Sequence, residues 1–198
     1  MTGWIETNEQ YDVAVSLNEV LRQLDRVASG DVYAWKWAVI ALSCAANGAL
    51  ICILSGTMNI GALGDDDVAT TIEALQHDSI VQFPKYAKLA PPHTLLKRAR
   101  RADLRKEQAG SILKLNSSQT REFKKLVRLR NEFIHFAPMG WAIETSGMTS
   151  MVERVLTIIE QVIKDDWSFR HQSDDLRTHL IEACQNIHRA CGRIDVSN

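Results

Sequence analysis

This 198-residue chain has no long glycine-, serine- or proline-rich stretch, so composition marks no linker, and a single domain over 1–198 is expected. No segment alternates apolar and polar residues with a period of two for long enough to demand a strand, and this points to an all-α fold. The four cysteines, Cys44, Cys52, Cys184 and Cys191, form no Cys-x-x-Cys pair and sit inside helical patterns, which makes a reducing cytoplasm the simplest setting. The opening residues lack a basic stretch followed by an apolar run, since Trp4, Glu6 and Glu9 interrupt it, so no secretory signal is expected. Charge is missing altogether from Ala38 to Leu54, a run of 17 residues. That length is at the short limit of the roughly 17–25 needed to cross a bilayer, and Asn47 and Gly48 fall inside it. A central bundle helix is the expectation, and no membrane partner.

The chain is 45% hydrophobic, enough for one substantial core. A first helix is expected over about Glu9–Ala28, with a stripe of Val13, Leu17, Val20, Leu21, Leu24 and Val27 and a stop at Gly30. The second should span about Asp31–Ser55. The stretch 57–118 is less regular, broken by Gly61, Gly64, Pro84, Pro91 and Pro92, with short helices expected at Asp65–Gln76 and His93–Lys106. A helix over Gln119–Phe136, capped by Asn116 or Ser117, follows this insertion. Thr149–Lys164 and about Ser173–Cys191, stopped by Gly192, complete an up-and-down bundle of about five main helices.

The net charge of -1 hides a polarity along the chain. Between Lys85 and Arg130 there are fourteen Lys/Arg against Asp103, Glu107 and Glu122, a balance of +11, which leaves -12 elsewhere. Such a sector suits a phosphate-bearing partner, because phosphate neutralisation supplies most sequence-independent nucleic-acid affinity. Lys97, Arg98, Arg100, Arg101, Lys124, Lys125 and Arg128 are the candidate RNA-binding residues. Lys97, Arg98, Arg100 and Arg101, with Arg105 and Lys106, are also compatible with a solvated helix face paired to the acidic remainder, and no aromatics are interleaved with them. Trp35, Trp37 and Trp141 are candidates for a base-stacking platform or, more commonly, for packing. Cys184, His188 and Cys191 share a helix face, but a fourth ligand for tetrahedral zinc is not evident, so no metal site is assigned.

The run Arg130-Asn131-Glu132-Phe133-Ile134-His135 carries the most information. The apolar stripe of its helix runs through Phe123, Leu126, Val127, Ile134 and Ala137, and Arg130 falls where that stripe should continue. A charge there is costly unless it is paired or opens onto a cleft or subunit interface. Asn131 and His135 are four apart, so the amide can orient the ring; Arg130 and His135 are five apart, about 140° around an ideal helix. On position alone, near a helix C-terminus, His135 reads as a surface histidine favoured by the macrodipole, and it is Arg130 on the apolar stripe that shifts the balance toward a site.

This Arg-Asn-x-x-x-His pattern resembles the signature of the HEPN superfamily, all-helical domains with an Arg-x(4–6)-His motif, and the following Phe136–Glu144 stretch resembles the continuation in one HEPN subgroup. The resemblance implies a metal-independent ribonuclease without cofactors, its site shared across a homodimer. An RNA 2′-hydroxyl would attack the neighbouring phosphorus and leave a 2′,3′-cyclic phosphate. His135 would move the proton, Arg130 would bind the phosphate, and Asn131 would orient His135 or contact phosphate. It also implies a defence or toxin role and an antitoxin or regulatory protein as partner. One HEPN toxin branch continues its motif as His-x-Tyr, with the tyrosine modified by its antitoxin; here that position is Ala137, so control by that modification is not expected. The alternative is a non-catalytic module whose groove binds a nucleotide, RNA or a protein.

Overall fold

The computed structural model describes residues 3–5, 7–76, 86–135, 138, 140 and 142–197. Pro84, Lys85, Phe136, Ala137, Met139 and Trp141 lie outside the described residues. Among the described residues seven α-helices form an all-helical bundle: α1 (Glu9–Ala28), α2 (Ala34–Leu54), α3 (Asp65–Gln76), α4 (Pro92–Arg100), α5 (Ser117–Ile134), α6 (Met148–Ile163) and α7 (Asp174–Ser197). Among the described residues the only β-type pairing is an isolated antiparallel bridge between Leu63 and Leu89.

α1 starts where the Asn8 side chain accepts a hydrogen bond from the Tyr11 N–H at 2.9 Å, satisfying one of the donors that a helix start leaves open. It buries Val13, Leu17, Val20 and Leu24 against α2 and α7. Gly48 sets the distance between α1 and α2: a Cβ there would meet Val13 Cγ2 at 2.9 Å and the Glu9 carbonyl oxygen at 3.5 Å. α2 also touches α4, α5 and α6, so it needs apolar residues on most of its circumference. It is long and apolar enough to cross a membrane, with mean hydropathy 2.1, but 72% of that apolar window is buried inside the protein. The charge-free run is thus explained by its central place.

The insertion between α2 and α5 is held by its own charges. Arg98, only 3% exposed, donates to the carbonyl oxygens of Gly61 at 3.1 Å and Leu63 at 2.6 Å and to Asp65 at 3.0 Å. The Glu107 carboxylate accepts from the N–H groups of Met58 and Gly61 at 2.9 and 2.7 Å. Arg105 donates to the carbonyl oxygens of Gly110, Ala99 and Ser111. Buried backbone outside helices must find partners, and here ionised side chains supply them. Asp165, after α6, accepts from the Ser111 N–H at 2.9 Å and the Ser168 hydroxyl at 3.0 Å, tying the end of the insertion to the bundle. Burial raises its pKa, but hydrogen bonds from Ser111 and Ser168 outweigh burial and hold the carboxyl below its usual range.

Two element ends differ most from expectation. His93–Lys106 is helical only to Arg100, after which Ala102–Leu104 forms one 3-10 turn whose neighbours feed the Arg105 clamp. Gly192 does not stop α7, because Ile194 is buried on the row of Ile187, Ala190 and Cys191, while Arg193 pairs with Asp25 of α1 and Asp195 accepts from Thr149 of α6 at 2.7 Å. Tertiary contacts there outweigh the roughly 1 kcal/mol that a mid-helix glycine costs.

Candidate functional site

α5 is set rigidly. Asn116 and Gln119 form a reciprocal capping box, with the Asn116 side chain accepting from the Gln119 N–H at 2.8 Å and the Gln119 side chain accepting from the Asn116 N–H at 2.9 Å. Gln119 also donates to the Thr157 hydroxyl of α6 at 2.8 Å. The buried row is Phe123, Leu126 and Leu129, which differs from the expected stripe. It steps three residues from Leu126 to Leu129 instead of four to Arg130, and this leaves Arg130 half-buried on the flank and Ile134 exposed. The charge is therefore beside the core-facing row, where its head has access to solvent.

Arg130 lies on the side of α5 toward α2. Its positive charge reaches Cys44 of α2, and so does the negative charge of Asp12 from α1. The Cys44 thiol is pushed up first by burial and then by Asp12, with Arg130 opposing them. Burial also raises the Asp12 carboxyl. Among the described residues no hydrogen bond or ion pair is formed by the half-buried Arg130.

Asn131 and His135 lie on another side. Lys124, Arg128, Asn131 and His135 follow one another at i, i+4, i+7 and i+11, a single helical stripe. His135 is exposed at the C-cap, with its backbone N–H donating to the Asn131 carbonyl oxygen at 2.8 Å. A groove of ≈ 550 Å³ runs beside this stripe, lined by Lys124, Val127, Arg128, Asn131, Glu132 and, from α4, His93. Arg128 Nε is 3.8 Å from Glu132, an exposed pair that contributes little and leaves the guanidinium able to turn outward.

The candidate basic residues thus separate. Lys124 and Arg128 join Asn131 at the groove, while Lys125 is half-buried elsewhere on α5. Lys97 is exposed, Arg100 donates to the Thr120 hydroxyl at 3.2 Å, and Arg101 is paired with Asp103 at 2.7 Å. Arg98 is corrected outright: its guanidinium is enclosed by two carbonyl oxygens and Asp65 and does not face a polyanion. His93 was missed by sequence reasoning. It is about forty residues from Asn131 in the chain, and its only local signal was the Pro91-Pro92 break that starts α4 beside α5.

The Cys184–His188–Cys191 face belongs to the core. Both thiols are buried, with pKa values pushed up to about 12 chiefly by desolvation, and His188 is bonded to Glu160 at 3.0 Å. Among the described residues no three metal-ligating side chains come together. Trp35 is buried, whereas Trp37 is half-exposed. No protein-family model matches the chain, no characterised protein matches its sequence, and no solved structure matches its fold.

Proposed function

We propose that the protein is a cytoplasmic, metal-independent endoribonuclease of HEPN type, which acts as a homodimer in a defence or toxin system under a regulatory protein. The observation that supports this most directly is the α5 stripe: two cations and Asn131 line one groove and lead to an exposed imidazole. The cations attract RNA phosphates, and an imidazole can both accept and donate a proton in general acid–base catalysis. Arg130 binds a phosphate and offsets charge growing on its non-bridging oxygens. The 2′-hydroxyl attacks phosphorus, its proton leaves to a base, the 5′-oxygen departs with a proton from an acid, and a 2′,3′-cyclic phosphate remains.

The position of Arg130 about 140° around α5 from His135 favours a second reading, a groove that binds RNA without cutting it. Incubating purified protein with RNA in EDTA decides between them. The first reading expects 2′,3′-cyclic phosphate ends and a loss of about 10²–10⁴-fold in His135→Ala. Arg130→Lys should recover little of the activity lost in Arg130→Ala, because a point charge lacks the bidentate fork. Cleavage that persists unchanged in His135→Ala overturns the assignment, and binding without cleavage selects the second reading.

A further inference from the structure

A second cavity, of ≈ 430 Å³, opens where the end of the motif helix meets the start of α2. Phe133, two residues before His135, forms one wall, and Trp35, Trp37 and Tyr33 form another. Tyr33 is 84% exposed and Trp37 51%, an unusual display of aromatic surface for side chains that bury well. The two are four apart at the N-terminus of α2, so their rings project to the same side. Among the described residues Lys36 is the one formally charged side chain lining the cavity, and its ammonium lies 5.2 Å from the centre of the Trp37 ring. The volume is within the range of small-ligand pockets.

We propose that this cavity binds an unpaired nucleobase of single-stranded RNA, with Trp37 and Tyr33 as the stacking surfaces and Lys36 meeting the adjoining phosphate. The choice of occupant rests on the RNA-binding part of the function proposed above and on charge. An apolar peptide would not need the cation, and a cationic ligand would be repelled by it. An exposed aromatic ring next to a lysine offers what a base and its phosphodiester require: a flat apolar face and a positive charge, with little dependence on base identity. Phe133 connects the cavity to the helix that carries Arg130, Asn131 and His135, so a base held here anchors the strand near the motif.

The test is equilibrium binding of fluorescently labelled, 2′-O-methylated single-stranded RNA to the wild type and to Trp37→Ala, Tyr33→Ala, Trp37→Phe and Lys36→Ala. The methylated strand has no 2′-hydroxyl to attack, so the measurement is independent of cleavage. Stacking on one aromatic residue predicts a loss of roughly 5- to 150-fold for Trp37→Ala at all salt concentrations, with most of the affinity kept by Trp37→Phe. Lys36→Ala should instead lower the salt dependence by about one phosphate contact. A strand with abasic sites should bind weakly to the wild type and be insensitive to Trp37→Ala. Equal affinity of folded Trp37→Ala and wild type for the intact strand overturns the proposal, as does Trp37→Ala acting only by turning a dimer into a monomer in sedimentation. If the wild type fails to cleave ordinary RNA but shows the stacking pattern, the ribonuclease reading falls and the base site stands; cleavage with no effect at Trp37 gives the reverse.

Discussion

Arg98→Met separates the basic residues that build this protein from those that face its ligand. The guanidinium is nearly inaccessible and supplies the hydrogen bonds to the carbonyl oxygens of Gly61 and Leu63. Methionine fills much of the same volume but donates nothing, leaving the buried Gly61 carbonyl and the part-buried Leu63 carbonyl short of a donor. An unsatisfied buried group costs about 1–3 kcal/mol, so the pair predicts a loss of roughly 2–6 kcal/mol. Asp65 adds little, since it is largely exposed and keeps Lys106 at 2.7 Å. At about 2–4 °C per kcal/mol for a chain of this length, thermal unfolding followed by circular dichroism should move down by roughly 4–24 °C. RNA affinity measured well below that transition should not change. Arg128→Ala should do the opposite, leaving stability within about 0.5 kcal/mol and weakening RNA binding with a salt slope smaller by about one. An unchanged melting temperature in Arg98→Met together with weaker, less salt-dependent RNA binding would refute the structural assignment.

The Asp165 carboxyl gives the stability curve an acid limb. Burial would raise its pKa, but the donors of Ser111 and Ser168 lower it below the unfolded value of about 3.9. The native state therefore favours the ionised form: the contribution is complete above the unfolded pKa and is lost as pH falls through the lower folded value. Asp165→Asn should lower the urea midpoint at neutral pH and narrow its gap to the wild type below about pH 4. A gap that stays constant down to acid pH would show that the charge is not what Ser111 and Ser168 recognise.

The helices were readable because each repeats an apolar residue every three or four positions. Val13, Leu17, Val20 and Leu24 announce α1 at both ends, and the charge-free Ala38–Leu54 run announces a helix enclosed on several sides. The insertion was not readable in the same way, because Arg98, Arg105 and Glu107 satisfy backbone groups far along the chain, and an arginine that holds a carbonyl looks like one that awaits a phosphate. The motif helix shows the limit of counting. Phe123 plus seven falls on Arg130, but a helix turn is 3.6 residues and the buried row reaches Leu129. His93 and Tyr33 come to the neighbourhood of α5 only through packing between helices, which no local pattern encodes.

The remaining issue is where a second proton-transfer group comes from, since transesterification needs a base at the 2′-oxygen and an acid at the 5′-oxygen. Two sources are open to this fold. A second copy would bring another His135 and another Arg130 into a shared groove, which also resolves the separation of Arg130 from His135 around α5. Alternatively His93, which shares the groove of Asn131, serves within one protomer. Mixing wild type with an excess of His135→Ala after unfolding and refolding distinguishes them. If both imidazoles of a dimer are required, a tenfold excess of variant pairs nearly every wild-type chain with a dead partner, and activity per wild-type chain should fall to about a tenth. If His93 is the second group, activity per wild-type chain should stay constant and His93→Ala should lose as much as His135→Ala. Constant activity with an active His93→Ala would exclude both sources, because neither a second His135 nor His93 would then be needed.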